Sequence, residues 1–207
     1  MSDMLLRGSA PLNARHALGL PQDATVVGTV GRVDYQKAPE HLVEAAARMR
    51  RQDTVFVWIG SGPELARMES LTRARGLTHR FHWVGERRDV AALLPALDLF
   101  VMSSRYEGLP CAVVEAMRCG LPVVATAVNS VPDLVIPGDS GLLVPPARPR
   151  ELAAAIDGLL DDPNSADRLA RRGQQLAGRP FDASLLAETL HDVYTGALTA
   201  RALSLAG

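Results

Sequence analysis

Short apolar runs alternate with helical patterns along most of this 207-residue chain, and this alternation limits the possible folds more than any other feature. The runs are rich in Val, Ile and Leu, and they predict strands over residues 25–31, 54–60, 80–84, 99–102, 122–126 and 141–144. Helices are predicted between them, over residues 39–51, 64–75, 90–97 and 112–119. Because strands that alternate with helices form a parallel sheet covered on both faces, the sequence predicts an α/β fold, a Rossmann-like doubly wound parallel sheet of about six strands.

The length of the chain favours a single domain with one sizeable core. Residues 1–23 lack a strong period and contain two glycines and two prolines, so we interpret them as a lead-in or linker with one helical turn around residues 13–18. Residues 24–207 form the predicted domain, which is helical from residue 151 onward with breaks near Pro163 and Gly178. A closing helix is expected around residues 185–203.

Charge and apolar content argue against several classes of partner. The formal net charge is -1 and the pI is about 6.5, so nothing indicates nucleic acid or an anionic membrane surface as a partner. The first eight residues carry no apolar run of signal-peptide length, and no stretch approaches the ~18 apolar residues of a membrane span. We expect Cys111 and Cys119 to be reduced and buried, and the protein to be cytoplasmic.

No metal site is predicted. The histidines lack the spacing of a metal-binding motif, and no Asp-x-Asp cluster follows a predicted strand. We therefore interpret the five histidines as structural: His16, His41, His79, His82 and His191. A Walker loop and a G-x-S-x-G elbow are also missing from the sequence.

The loops after the predicted strands are the candidate binding sites, because doubly wound sheets bind ligands at the carboxyl ends of their strands. In the first of these loops, residues 31–37, Arg32 and Lys37 come just before a predicted helix. A helix N-terminus with an arginine and a lysine suits a diphosphate, since Arg grips two phosphate oxygens and Lys acts as a point charge. On spacing alone, two ordinary solvated surface cations explain the same residues.

The second loop begins Gly60-Ser61-Gly62 and looks like the start of a dinucleotide fingerprint. Leu65 stands where the third glycine of that fingerprint is required, and Pro63 removes a backbone donor. A tight turn into a helix explains this loop better than a phosphate-binding loop does.

Two glutamates mark the fourth loop and the helix after it. Glu107 follows a buried strand, Gly108 lets backbone approach a ligand closely, and Glu115 lies in an otherwise apolar helical segment. A buried carboxylate needs a partner, and two acceptor groups near a strand end suit a ligand rich in hydroxyls. The alternative is that Glu107 caps the helix and Glu115 pairs with a neighbouring arginine.

Four segments, in the same order, resemble the C-terminal, donor-binding domain of the group 1 (family 4) retaining glycosyltransferases, which have the GT-B fold. The segments are GTVGRVDYQKAPEHLVEA, VWIGSGPE, FHWVGERRDVAALLPALDLFVMSSRYEGLPCAVVEAMRCGLPVVAT and VPDLVIPGDSGLLVPP. The resemblance covers residues 24–207, and its most specific part is the E-x7-E segment from Glu107 to Glu115. It implies that the chain is one half of a GT-B fold.

The resemblance also implies roles for single residues. Arg32 and Lys37 match the pair that holds the donor diphosphate, and Ala38 departs from the glycine that commonly follows this lysine. Glu115 matches the glutamate that hydrogen-bonds the ribose hydroxyls, and Glu107 matches the glutamate that contacts the transferred sugar. The backbone of Gly108 and Leu109 corresponds to the stretch that meets phosphate and sugar. The loop from Val84 to Arg87 corresponds to the one that lines the nucleobase.

The expected reaction moves a sugar from a nucleoside diphosphate sugar to an acceptor hydroxyl with retention of anomeric configuration. Arg32 and Lys37 would stabilise charge on the leaving diphosphate, with no metal ion and no cofactor, and Glu107 would orient the sugar. These three residues are the predicted catalytic set.

The resemblance leaves the acceptor-binding N-terminal domain unaccounted for, and we expect that domain to be supplied in cis or in trans. Alone, the donor half should bind donor weakly and turn over poorly, and peripheral membrane association is expected only through the other half. A non-catalytic module that binds a nucleotide sugar or docks a partner is the alternative. A nicotinamide dehydrogenase, suggested by the fold alone, is a third interpretation, and a sugar-nucleotide epimerase of the same architecture is a further one. The incomplete glycine fingerprint and the E-x7-E segment argue against a nicotinamide dehydrogenase.

Overall fold

The computed structural model describes residues 9–178, and the structural statements below concern that part of the chain. Six parallel strands form one sheet in the order β3-β2-β1-β4-β5-β6. They are β1 (Val26–Val30), β2 (Val55–Ile59), β3 (Phe81–Gly85), β4 (Leu99–Met102), β5 (Val123–Thr126) and β6 (Leu142–Val144). The prediction of a doubly wound parallel sheet of about six strands is therefore confirmed.

Helices cover both faces of this sheet. They are α1 (Ser9–Ala17), α2 (Pro39–Ala46), α3 (Leu65–Ala74), α4 (Val90–Leu93), α5 (Cys111–Arg118), α6 (Val131–Leu134), α7 (Pro149–Asp161) and α8 (Pro163–Ala177). A 3₁₀ turn at Leu94–Ala96 follows α4. The short helix α6 was not predicted from the sequence, and the predicted closing helix at 185–203 lies outside the described residues.

Successive residues of each strand enter two different cores, because side chains alternate between the faces of a sheet. In β2, Val57 packs on the side of α5, whereas the adjacent Trp58 packs on the side of α2 and α7. Both side chains are buried, as are all five residues of the strand. Strands buried on both faces give the continuous apolar runs from which the sheet was predicted.

Two helices are shorter than the sequence predicts, and tertiary hydrogen bonds and a proline explain both differences. The helix expected over residues 39–51 ends at Ala46, where the Arg80 guanidinium donates to the Ala46 carbonyl at 2.7 Å. The backbone N–H of Arg50 then donates to Asp157 at 2.9 Å instead of continuing the helix. The helix expected over residues 90–97 changes to a 3₁₀ turn at Pro95, which has no N–H to donate.

The helix before β1 is longer than the single turn predicted at residues 13–18, because α1 extends from Ser9 to Ala17. Helix α1 packs against α4 and the 3₁₀ turn through Arg15, whose side chain is almost fully buried. The Arg15 guanidinium donates to the Ala96 carbonyl at 3.1 Å and to Asp98 at 2.7 Å. The same Asp98 oxygen accepts from the backbone N–H of Val26 at 2.8 Å, so this cluster ties α1 to the start of β1.

The order of the strands reverses at β1, which lies between β2 and β4. β1 pairs with β4 through Val27 with Leu99 and Gly28 with Phe100. Beyond these pairs, the loop after β1 and the loop after β4 emerge side by side at the carboxyl edge. Ligands of doubly wound sheets bind in the crevice at such a switch point, so the fold directs attention to these two loops.

Both cysteines lie on the surface, which corrects the expectation that they are buried. Cys111 begins α5 and Cys119 follows its last residue, and both are exposed free thiols. The buried face of α5 consists instead of Val113, Val114, Ala116 and Met117. Partial burial still raises the pKa of the Cys119 thiol. No helix within the described residues is both long and apolar enough to cross a bilayer.

Candidate functional site

An ion pair joins the loop after β1 to the loop after β4. Nζ of Lys37 lies 2.6 Å from Oε1 of Glu107. The Glu107 side chain is 2% exposed and the Lys37 side chain 23%, so the carboxylate is buried and the ammonium reaches solvent. Burial of a carboxylate is costly unless it is paired and hydrogen-bonded. The fold therefore brings together two candidate residues that are 70 positions apart in the sequence.

Two further side chains hold Glu107 in place. The Ser104 hydroxyl donates to the same Oε1 atom at 2.6 Å, and the backbone N–H of Glu107 donates to Oδ1 of Asn129 at 3.0 Å. Asn129 has a positive φ of 45°, a conformation that asparagine adopts more readily than most residues. The sequence analysis did not identify Ser104 or Asn129. Their positions after the neighbouring strands β4 and β5 were the available signal.

The last residue of β5 and the loop after it each support the loop that carries Glu107. The Thr126 hydroxyl donates to the Ser104 carbonyl at 2.7 Å, and the Ser130 hydroxyl donates to the Gly108 carbonyl at 2.7 Å. The segment on either side of Glu107 is thus fixed by side chains from the adjacent strand end.

Arg32 and Lys37 flank a shared carboxylate on the loop after β1. Oδ2 of Asp34 lies 3.4 Å from Nε of Arg32, and Oδ1 accepts the backbone N–H of Lys37 at 3.1 Å. The Arg32 side chain is 74% exposed, so its guanidinium is accessible to a ligand. The two predicted phosphate-binding cations therefore belong to one loop organised by Asp34.

A cleft of about 510 Å³ opens at the carboxyl ends of β1, β2 and β3, a volume in the usual range for small-molecule sites. Its lining comprises Val30, Gly31, Arg32, Ile59, Gly60, Ser61, Gly62, Glu86, Arg87 and Val90. The cleft thus brings Arg32 to the same cavity as Arg87, two residues predicted to hold different parts of one ligand.

Arg87 is held in a two-point ion pair near this cleft. Its Nε and Nη2 donate to Oδ1 and Oδ2 of Asp89 at 2.8 and 2.6 Å. These bonds raise the pKa of Arg87 and lower that of Asp89. Val84, which was also predicted to line the nucleobase, is half-buried and packs against the core, and it is not among the residues that line this cleft.

The glycines of the Gly60-Ser61-Gly62 turn are required by packing. A Cβ at Gly60 would lie 2.0 Å from the Gly31 carbonyl oxygen, and one at Gly62 would lie 2.4 Å from the Val33 carbonyl oxygen. The Val33 N–H also donates to the Ser61 carbonyl at 3.0 Å. These contacts support the tight-turn interpretation of this segment, since they join it to the loop after β1.

The backbone after Glu107 faces solvent. Gly108 and Leu109 are exposed, and a Cβ at Gly108 would meet no atom within 4 Å. This glycine therefore leaves room for an outside molecule, whereas Gly60 leaves room for the chain itself. Leu109 is an unusually exposed large apolar side chain at 62%, next to the candidate site.

Glu115 lies on the outer face of α5 and is exposed, so the expectation that it is a buried carboxylate in need of a partner is wrong. Its apolar neighbours Val114 and Ala116 point into the core, because adjacent helical residues face different directions. The structural alternative, in which Glu107 caps the helix and Glu115 pairs with an arginine, is not observed within residues 9–178. Pro110 occupies the N-cap of α5, and no ion pair joins Glu115 to an arginine there.

The residue after Lys37 adopts a conformation that favours glycine. Ala38 has φ 48° and ψ 55°, is fully buried, and forms the N-cap of α2. An alanine pays ~1 kcal/mol for a left-handed backbone. Alanine in place of the glycine that the family resemblance leads us to expect therefore leaves the fold of this loop intact but strained.

Burial lowers the pKa of His41 and of His82, which favours the neutral imidazole at neutral pH. His16 and His79 are exposed, and His191 lies outside the described residues. No group of three or more His, Cys, Asp or Glu side chains in residues 9–178 has the geometry of a metal site.

The loop after β1 therefore carries Lys37, paired with the buried Glu107 at the switch point, and Arg32, which lines the cleft at the ends of β1, β2 and β3. Together they define a candidate site for a phosphate-bearing ligand. Residues 12–176 match the family described as glycosyl transferases group 1. The chain belongs to this family, as the sequence resemblance predicted.

Curated relatives are about twice as long as this chain. This chain is 35% identical over 189 residues to the alpha-D-kanosaminyltransferase of Streptomyces kanamyceticus. The aligned region covers 89% of this chain and 48% of the relative. The chain is also 35% identical over 206 residues to the D-inositol 3-phosphate glycosyltransferase of Thermomonospora curvata, covering 93% and 47%. The chain thus spans about half the length of the curated relatives that it matches.

Solved structures share the fold. The crystal structure of Anabaena HepE in complex with UDP and glucose superposes with a TM-score of 0.86 at 27% identity, covering 91% of this chain and 53% of that one. The C-terminal domain of the group 1 glycosyl transferase LpcC from Francisella tularensis superposes with a TM-score of 0.71 at 24% identity, covering 77% and 87%. The architecture is therefore that of one half of a GT-B fold.

Proposed function

We propose that this chain is the donor-binding half of a retaining glycosyltransferase, which transfers a sugar from a nucleoside diphosphate sugar to an acceptor hydroxyl. The observation that carries the proposal is the ion pair of Lys37 with the buried Glu107 at the switch point, with Arg32 on the same loop as Lys37 and lining a cleft of about 510 Å³. Two cations beside a buried carboxylate suit a ligand that joins a diphosphate to a sugar. Membership of the family and the UDP bound to Anabaena HepE support the same conclusion.

The diphosphate would lie over the loop after β1. Arg32 is exposed and can offer two parallel N–H groups, while Lys37 contributes a compact charge closer to the switch point. When the sugar departs, negative charge grows on the phosphate oxygens, and both cations would stabilise it. Since these side chains supply the positive charge, we propose that transfer requires no metal ion and no cofactor.

The remaining parts of the donor would follow the carboxyl edge in both directions. The nucleobase would enter the cleft beside Val84 and Arg87, and the exposed Glu115 would accept hydrogen bonds from the ribose. The transferred sugar would meet Glu107 and the open backbone at Gly108 and Leu109. An exposed carboxylate at Glu115 is compatible with this role, because it has no competing ion pair within residues 9–178.

Glu107 would orient the sugar and not attack it. Its Oε1 atom already accepts hydrogen bonds from Lys37 and Ser104. These two hydrogen bonds fix the carboxylate, and the second oxygen remains able to accept from a sugar hydroxyl, which suits an orienting role.

The acceptor would come from a second half that this chain does not contain. The chain spans about half of its curated relatives, so we propose an acceptor-binding N-terminal domain in cis or in trans as the partner. That domain would also carry any peripheral contact with a membrane, and a cytoplasmic location is proposed for the whole protein.

Calorimetric titration of the chain with UDP, GDP and ADP tests donor binding. At least one diphosphate should bind, and Arg32→Ala and Glu115→Ala should weaken it about tenfold each, the loss expected for one charge-assisted contact. Arg171→Ala, on the exposed face of α8, is the matched control and should bind like the wild type. Binding that is indifferent to both site substitutions would remove the site assignment.

A transfer assay distinguishes an enzyme half from a binding module. The chain is assayed with UDP-, GDP- and ADP-sugars alone and together with a candidate acceptor-binding domain, and anomeric configuration is read by NMR. Activity with the partner and retention support the proposal. Glu107→Gln with undiminished transfer in the completed enzyme would rule out an essential charged role for Glu107, and binding without transfer would favour the non-catalytic module.

A further inference from the structure

The loop that carries Lys37 is held through its carbonyl groups by residues of the loop after β4. The Tyr35 carbonyl accepts from the Arg105 guanidinium at 2.7 Å, and the Gln36 carbonyl accepts from the Arg105 backbone N–H at 2.8 Å. The next two carbonyls, of Lys37 and Ala38, lie 3.1 and 3.2 Å from the Ser103 hydroxyl and share its single proton. Four consecutive carbonyl groups are thus bound from one neighbouring loop.

Arg105 makes further contacts that fix its own position. Its Nη2 donates to the Glu40 carboxylate at the start of α2, and its Cζ lies 4.1 Å from the centroid of the Tyr35 ring. The guanidinium is therefore stacked on one side and hydrogen-bonded at its edge. Only a planar, forked cation satisfies both at once, which lysine cannot do.

The loop needs this support because its backbone is not in its preferred conformation. Ala38 lies in the left-handed region, which costs an alanine ~1 kcal/mol. Lys37 stands directly before it, so a relaxed Ala38 would change the direction of the Lys37 side chain. The hydrogen bonds from Ser103 to both carbonyls oppose that relaxation.

We infer that Arg105 is a positioning residue for diphosphate binding, and that it acts through Lys37. This inference rests on the proposed donor site. Arg105 orders the loop after β1 before the ligand arrives, so that binding does not have to immobilise it. Ser103 contributes to the same task, and neither residue needs to touch the donor.

The test is calorimetric binding of the nucleoside diphosphate that binds the wild type best among UDP, GDP and ADP. Arg105→Met should weaken binding about tenfold, the loss expected if one or two long side chains must be ordered on binding. Arg105→Lys should recover part of the loss, because it keeps the charge and one donor. Ser103→Ala should weaken binding in the same direction with no change of charge.

Arg67→Met is the matched control. Arg67 lies 3.9 Å from the other oxygen of Glu40 and contacts Glu64, but it makes no hydrogen bond to residues 35–38. The Arg67→Met substitution therefore removes one positive charge from beside Glu40, as Arg105→Met does. It should leave diphosphate affinity within twofold of the wild type. An Arg67→Met loss equal to that of Arg105→Met would overturn the inference, since the cause would then be charge alone.

A double-mutant cycle with Lys37→Met separates positioning from general structural damage. If Arg105 acts through Lys37, the double variant should bind no more than about twofold more weakly than Lys37→Met alone. Fully additive losses would contradict the inference, as would wild-type binding by both Arg105→Met and Ser103→Ala. Absence of binding by the wild type would instead refute the proposed donor site, so the two failures are distinguishable.

Discussion

Nζ of Lys37 and Oε1 of Glu107 lie 2.6 Å apart, and this pair closes the switch-point crevice between the loops after β1 and β4. The pair is asymmetric, because Glu107 is buried and Lys37 reaches solvent. Lys37 can turn toward a diphosphate, whereas Glu107 has little space to move. In the free protein each charge compensates the other, so under the proposed function donor binding would exchange one partner of Lys37 for another.

The asymmetry predicts unequal effects on stability. Lys37→Met leaves a buried carboxylate without its cation and should lower the free energy of unfolding by about 2 kcal/mol. Glu107→Gln leaves the partly exposed ammonium able to find water, and should cost about 1 kcal/mol. The double variant should be more stable than Lys37→Met alone. Urea unfolding measures all three, and a Lys37→Met variant as stable as the wild type would contradict the pairing.

Asp34 limits the positive charge available to a phosphate. Asp34→Asn keeps the oxygen that accepts the Lys37 N–H but removes the charge beside Arg32. Diphosphate affinity should rise about fivefold, since a unit charge a few ångströms away in water is worth ~1 kcal/mol. Asp53→Asn, next to Arg51, is the control and should leave affinity unchanged. Weaker binding by Asp34→Asn would mean that its charge shapes the loop.

Two glycines should respond to alanine in opposite ways. Gly60→Ala places a Cβ 2.0 Å from the Gly31 carbonyl oxygen at a φ of 143°, and should destabilise the fold by about 3 kcal/mol. Gly108→Ala meets open space and should change stability by less than about 1 kcal/mol. Its methyl group should nevertheless weaken diphosphate-sugar binding about tenfold, if donor approaches this backbone. Thermal unfolding and calorimetry give both readouts, and unchanged binding would exclude a close approach.

Glu44 should make the free energy of unfolding depend on pH in the acidic range. Hydrogen bonds from Arg75, and then from Arg48, lower the pKa of Glu44 from its ordinary value of 4.5. Its contribution is therefore fully present above pH ~4.5 and is lost as the pH falls through the lower folded value. The stability difference between the wild type and Glu44→Gln should shrink over that range in urea unfolding. Glu151→Gln, on an exposed 3.8 Å pair with Arg148, is the control and should show little difference at any pH.

The sheet was predictable because apolar runs bounded by turns leave few alternatives to buried parallel strands. Helix ends were less predictable, since the bond from Arg50 to Asp157 joins residues 107 positions apart. The apolar neighbours of Glu115 suggested burial, but sequence neighbours on a helix face different directions.

The candidate site was predictable only for residues whose charge indicates a binding role in the sequence itself. Arg32, Lys37 and Glu107 stand out as charges after strands, and the family resemblance supplies their expected roles. Ser104 and Asn129 are common polar residues whose importance depends on hydrogen bonds with partners in space. Asn129 lies 22 positions from the N–H that it accepts, and no local pattern indicates that distance.

Helix α1 has a practical consequence for isolating this domain from the longer relatives. Arg15 binds Asp98 and the Ala96 carbonyl, and Asp98 in turn binds the first N–H of β1. A cut placed at residue 24, where the strand pattern begins, would remove this arginine and expose the apolar surface under α1. A fragment of this domain that keeps its fold should therefore start ahead of Ser9, and a protease that cleaves between α1 and β1 should release a less soluble fragment.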